Sequence, residues 1–189
     1  MPTYAGGEDR VYPKAPEGTH QAVCFGVWDI GKHKRTWKGK ESLVHQIIIG
    51  WELVTERHEE GKFEGQRFMV FKSYSNSLGE KSALSRDLVS WRGTPLRDEE
   101  RKKFDLEVMI GKNCILTIVH NENYANVGGG SPLMKGIHPD KPENALTPPP
   151  EWVTRKALEG GVPIPGHQEE DDGMDAKSPA QDDANWIPF

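Results

Sequence analysis

Between Gly31 and Gly39 the chain concentrates Lys32, His33, Lys34, Arg35 and Lys38 around Trp37, with Lys40 just beyond. Cations neutralise phosphates, and an indole offers a flat face to an unpaired base. Such stacking contributes about 1–3 kcal/mol whichever base is present. The same composition would suit a solvated hairpin tip with Trp37 folded back on the body; the interleaving of an aromatic with cations favours the binding reading. Other chemistries find little support. Gly128-Gly129-Gly130-Ser131 lacks the lysine and the following helix of a phosphate-binding loop, and is predicted to be a bulge or a close backbone approach. The seven histidines are scattered without metal-ligand spacing. Glu59-Glu60 and Asp98-Glu99-Glu100 read as solvated surface, and no nucleophile stands with a base. The chain is therefore expected to be no enzyme and to need no cofactor or metal.

A second stretch with chemistry of its own is Asp182-Asp183-Ala184-Asn185-Trp186-Ile187-Pro188-Phe189. Phe189 fits an apolar pocket, its carboxylate and the two aspartates find basic side chains, and Pro188 limits the freedom lost on docking. Trp186 and Ile187 add apolar surface, so a partner protein is the expected ligand; the bland reading is an acidic tail that happens to end in Phe. Residues 151–189 carry nine acidic residues against three basic ones, which leaves residues 1–150 at +1 of the total −5. A nucleic-acid site on that near-neutral body must come from local clustering.

The elements that must position these groups follow from periodicity. Residues 1–18 read as an irregular arm. Two-residue alternation predicts a strand over Thr19–Ile30 and another over Ser42–Leu53, with the basic segment as the loop of a long hairpin. Gln66–Ser75 reads as a third strand. Leu84, Leu88 and Trp91 stand at helical spacing and Gly93 stops that helix. Thr94-Pro95 reads as the cap and first residue of another helix, with Asp98, Glu99 and Glu100 in its first turn. Asp105 is placed to cap a further short turn ending at Gly111. Asn113–His120 is a fourth strand, and Tyr124–Val127 a fifth, running into the glycines. Residues 139–159 form a proline-rich linker with one or two helical turns, and residues 160–189 are too acidic and too poor in apolar groups to fold alone. Cys24 and Cys114 lie far apart in apolar runs and suit two buried thiols in a reducing cytoplasm; a disulfide has no support. No run of about 18 apolar residues is present, and the first ten residues lack the basic-then-apolar pattern of a secretory signal.

Three strands, a helical insertion and two more strands are the order of a five-stranded OB-fold barrel over residues 19–138, with some other small meander as the alternative. In that fold the loops between strands one and two and between strands four and five grip nucleic acid. Tyr124 is then a candidate stacker and Lys135 a candidate phosphate contact, while Lys72 and Tyr74, sharing a parity, could extend the surface. Trp28 suits ligand or core equally. Trp51, Phe68, Trp91 and Phe104 read as core.

The acidic tip resembles that of bacterial and phage single-stranded-DNA-binding proteins, which recruits replication and repair partners. With an OB domain before it, the chain looks like the phage-type members of that family. The N-terminal strand motif of the standard bacterial members is not found. The helical insertion and Tyr124-Ala125-Asn126-Val127 are more like phage replication-module proteins, which leaves tetramer, dimer and monomer open. The resemblance implies a protein of the bacterial host cytoplasm that sequesters single-stranded DNA during replication and recombination. Lys32, Lys34, Arg35, Trp37, Lys38 and Lys40 would grip the DNA while the tip recruits host proteins. A protein-interaction adaptor built on the same barrel and a nucleic-acid enzyme are the competing readings.

Overall fold

The computed structural model describes residues 13–144 and 149–162. Five strands, β1 (Gly18–Trp37), β2 (Lys40–Arg57), β3 (Arg67–Ser75), β4 (Asn113–His120) and β5 (Ala125–Pro132), form one antiparallel sheet in the order β3-β2-β1-β4-β5. Between β3 and β4 lie α1 (Ala83–Arg92), α2 (Asp98–Lys102) and a 3₁₀ turn (Leu106–Met109); α3 (Glu151–Glu159) follows the sheet. The sheet is open: among the described residues no ladder joins β3 to β5, although the two strands lie near one another. The order of elements is the one the periodicity predicts.

The hairpin differs from expectation. The basic segment is not a loop, because β1 and β2 continue through it until Trp37 pairs with Lys40. Only Lys38 and Gly39 turn the chain, with φ of 49° and 75°, the positive pair that a two-residue type I′ turn requires. Two bulges interrupt β1, between Cys24 and Gly26 and between Asp29 and Gly31. Each extra residue bends the strand and reverses its inside–outside parity. Strict alternation across Thr19–Ile30 therefore mispairs the side chains. The glycine run of β5 carries the bulge expected of it: Thr117 faces Gly129 and Ile118 faces Val127, so Gly128 is the extra residue.

Each face of the sheet is covered. On the inner face Cys24, Ile47, Ile49, Trp51, Val70 and Leu116 pack against Leu84, Leu88 and Trp91 of α1. That helix is capped by the Ser82 hydroxyl, which accepts from the Ser85 N–H, and ends on Gly93 in the left-handed region. Trp51, Phe68 and Trp91 are buried as expected, and Phe104 is half-buried with the Arg92 guanidinium over its ring. Both thiols are free and buried, and burial pushes Cys24 up to about 12. The second helix begins after Arg97 rather than Thr94: the Glu100 carboxylate turns back to accept from the Arg97 N–H. Asp105 caps the 3₁₀ turn, as read from the sequence.

The outer face holds the second departure. The described residues of the stretch 139–159 are packed on this face and are no free linker. Glu52, 0% exposed in mid-strand, accepts from the backbone N–H groups of Glu143 and Asn144, and Arg67 pairs with Asp140 and Glu143. Helix α3 then seats Trp152, Val153 and Ala157 against Phe25, Ile30, Ile48 and Phe71. Its end touches β1 backbone to backbone. The Lys32 N–H donates to the Gly160 carbonyl, and a Cβ on Gly160 would lie 1.8 Å from the Ile30 carbonyl oxygen. The N-terminal arm, described from residue 13, and the tail from residue 163 otherwise lie outside the described residues.

Two outcomes follow from this strap. Gly160→Ala has no room and is expected to cost about 2 kcal/mol or more, whereas Gly129→Ala, with nothing near its added methyl, should be nearly neutral; equal losses in thermal unfolding would contradict the backbone contact. The Glu143 carboxyl is held below its ordinary 4.5 by hydrogen bonds from Arg57, and that of Asp140 below 3.8 by the Lys141 N–H and Arg67. A depressed folded pKa stabilises above the ordinary value and loses that effect as pH falls through the folded one. The stability gap between wild type and Glu143→Gln in urea titrations should therefore be present near neutral pH and close as pH drops below 4.5.

Candidate nucleic-acid interface

The pairing of β2 with β3 stops at Gln46 and Ser75, and that of β1 with β4 at Val23 and Asn113. Beyond these points no other strand pairs with β1 or β2, and apart from the bonds of Lys32 to Gly160 and of Asn76 to His45 at its base the cationic segment continues as a two-stranded arm. Trp37 near its tip is 66% exposed. Lys32, Lys34, Arg35, Lys38 and Lys40 are exposed as well, and none makes an ion pair with a described carboxylate. Arg57, Arg67, Lys72, Arg92 and Arg97, by contrast, all have carboxylate partners. Arg35 donates to the Ser75 hydroxyl, at 3.2 Å, and the Lys38 ammonium stands 6.0 Å from the Trp37 ring centre. Indole and cations are thus collected in water with no carboxylate partner among the described residues, an arrangement that suits stacking and phosphate pairing.

The remaining candidates are not gathered there. Tyr74 is 4% exposed and its hydroxyl donates to Asp87 of α1, so it offers no ring face to a base. Burial, and then the Asp87 charge, push its phenol far up. Lys72 is committed to the same carboxylate at 2.7 Å. Both residues pair with Ile49 and Ile47 and so share the inner face of the sheet, which explains their common parity without a ligand. Trp28 is on the outer face but packs edge-on against Phe25, with the rings 5.5 Å apart, and over Gly26 and Gly50, where any Cβ would collide with it. Tyr124 is half-buried in the turn between β4 and β5, tied at both backbone groups to Asn121. Register places that turn beside the first residues of β1 and the arm at its last, so the two expected gripping loops stand at opposite ends of the strand. Lys135 is exposed on the turn after β5. Asp182, Asp183, Trp186, Ile187, Pro188 and Phe189 lie outside the described residues.

Alternation alone missed two features. Leu43 shares the parity of buried Ile47 yet is 66% exposed, because the sheet's cover ends before it. Lys38-Gly39 is a turn signal between two alternating runs, readable as a two-residue loop once the strands are extended to meet it. Among the described residues no group of His, Cys, Asp or Glu could hold a metal ion, and no helix is long and apolar enough to cross a membrane. The chain matches no protein-family model, and no curated protein matches its sequence.

The two kinds of aromatic site separate by stability. Tyr74→Phe removes a buried hydroxyl and leaves Asp87 short of a donor, so denaturant unfolding should show a loss of about 1 kcal/mol. Trp37→Ala should stay within about 0.5 kcal/mol of wild type. A comparable loss at Trp37 would mean that its indole packs on the body.

Proposed function

We propose that the chain binds single-stranded DNA with little base preference, as in the replication and recombination of a phage genome. One observation carries the reading: an exposed indole among five exposed cations, none of them ion-paired with a described carboxylate, on a two-stranded extension of β1 and β2. The strand order β3-β2-β1-β4-β5, with β3 near β5 but no ladder between them among the described residues, supports an OB-type arrangement that is not closed. In this reading catalysis plays no part; unpaired strands are held by stacking and charge, with affinity falling as salt rises. The tip at Asp182–Phe189 would dock on replication proteins, as its acidic and apolar residues suit. The acidic tail would compete with DNA for the arm, since its described root, Gly160, is bonded to Lys32 at the arm's base. One feature favours an interaction adaptor instead: α3 fills the aromatic outer face of β1, β2 and β3 that an OB sheet uses for bases.

Titration with oligo-dT at two salt concentrations decides between them. Tryptophan fluorescence should be quenched, the affinity should fall with salt, and Trp37→Ala should weaken binding by about 1–3 kcal/mol. Deleting residues 182–189 should preserve or raise DNA affinity while abolishing capture of replication proteins. An absence of quenching at low salt would leave the adaptor reading.

A further inference from the structure

Residues opposite one another in an antiparallel pair project from the same face, so the register divides the arm's charges unequally. Arg35 opposite Ser42 and Trp37 opposite Lys40 continue the outer face of Ile48 and Phe71. Lys32 opposite His45, Lys34 opposite Leu43 and Thr36 opposite Glu41 continue the inner face of Ile47. The outer set has two fixed positive charges and no carboxylate. On the inner set Lys32 and Lys34 are offset by Glu41 and by Asp29, which lies opposite Ile47 and also bonds His45 at 2.7 Å. Lys38, at the turn, leans toward the ring of Trp37. A sequence that reads as one cationic cluster is, once folded, one cationic aromatic face and one face near neutrality.

We infer that a single strand lies along the outer face of the arm alone. Trp37 is its base platform, Arg35, Lys38 and Lys40 its phosphate partners, and Lys32 and Lys34 stand out of contact. This assignment rests on the single-stranded-DNA reading above. Arg35 fixes the direction of the path, because its bond to Ser75 aims the guanidinium back toward the sheet. The strand then runs from the tip over Arg35 to the shoulder at Ser73 and Ser75, which face outward with Phe71. Each phosphate contact to a single strand contributes about 0.7 to the slope of log affinity against log salt, so three contacts contribute about 2.

Two charge-matched double variants test the assignment, both in exposed positions of the full chain. Arg35→Ala with Lys40→Ala should lower oligo-dT affinity at least about tenfold near 0.1 M salt and reduce the salt slope by about 1.4. Lys32→Ala with Lys34→Ala should remain within about twofold of wild type, its slope unchanged. A pair of added charges gives the reading independently of any loss of folding: Ser42→Lys should tighten binding and Leu43→Lys should not. Equal losses from the two double variants, or a larger loss from the Lys32 and Lys34 pair, would overturn the one-faced path while leaving DNA binding intact. Failure of the wild-type chain to bind oligo-dT at all would remove the DNA reading and this inference with it.

Discussion

At Gly31 and Gly160 two stretches of backbone touch with no side chain between them. A Cβ on Gly31 would lie 2.1 Å from the Gly160 carbonyl oxygen, and the Lys32 N–H reaches that oxygen in a 3.0 Å hydrogen bond. Gly31 also has φ of 74°, open to glycine at little cost. This contact ends α3 against β1 and so keeps Trp152 and Val153 on the outer face. It also falls at the second bulge of β1, where the covered sheet gives way to the solvated arm. Close approach at this one place thus sets the limits of the outer core, the root of the arm and the point at which the tail departs.

The outer core explains why the exposed indole is on the arm rather than on the sheet. Phe25, Trp28 and Phe71 form an aromatic patch whose rings meet at 5.5–6.0 Å. Gly26 and Gly50, paired across β1 and β2, leave the hollow in which the Trp28 indole rests. Trp152 meets Phe71 edge-on at 5.1 Å, so one more ring of the same chain completes the patch. Aromatic groups that could have received bases are spent on packing, and each gains from burial more than an exposed ring would. Among the described tryptophans, Trp37 is the one that stays in water.

Much of this could be read from the residues alone, and the failures have identifiable causes. Element order was legible because Gly93, Asp105 and the apolar runs punctuate the chain by local chemistry. The arm was legible as a cationic hairpin with an exposed tryptophan, but not as strand, since lysine and arginine hide the alternation that apolar residues display. Strict parity does not hold in β1 because bulges at Phe25 and Ile30 shift it twice, and neither position carries a glycine run like the one that marks the bulge of β5. The shared parity of Lys72 and Tyr74 is legible, but not their partner: Asp87, on the helix that follows β3, takes both side chains inward, and parity alone does not say which face that helix covers. Residues 139–159 read as a linker because five prolines fall among them. Their anchors, Glu52 and Arg67, are charged residues inside strands, and nothing local indicates that a carboxylate at position 52 is buried under a distant loop.

The turn at the end of the arm places a lysine where chain geometry favours glycine or asparagine. For a side chain with a Cβ the left-handed region costs about 1–2 kcal/mol, and Lys38 occupies it with φ of 49°. A residue better suited to the bend would close the hairpin more readily and would remove a cation from the turn that ends the arm. Position 38 is therefore where ease of folding and reach of charge pull in opposite directions, and the chain carries the residue that gives up the first for the second.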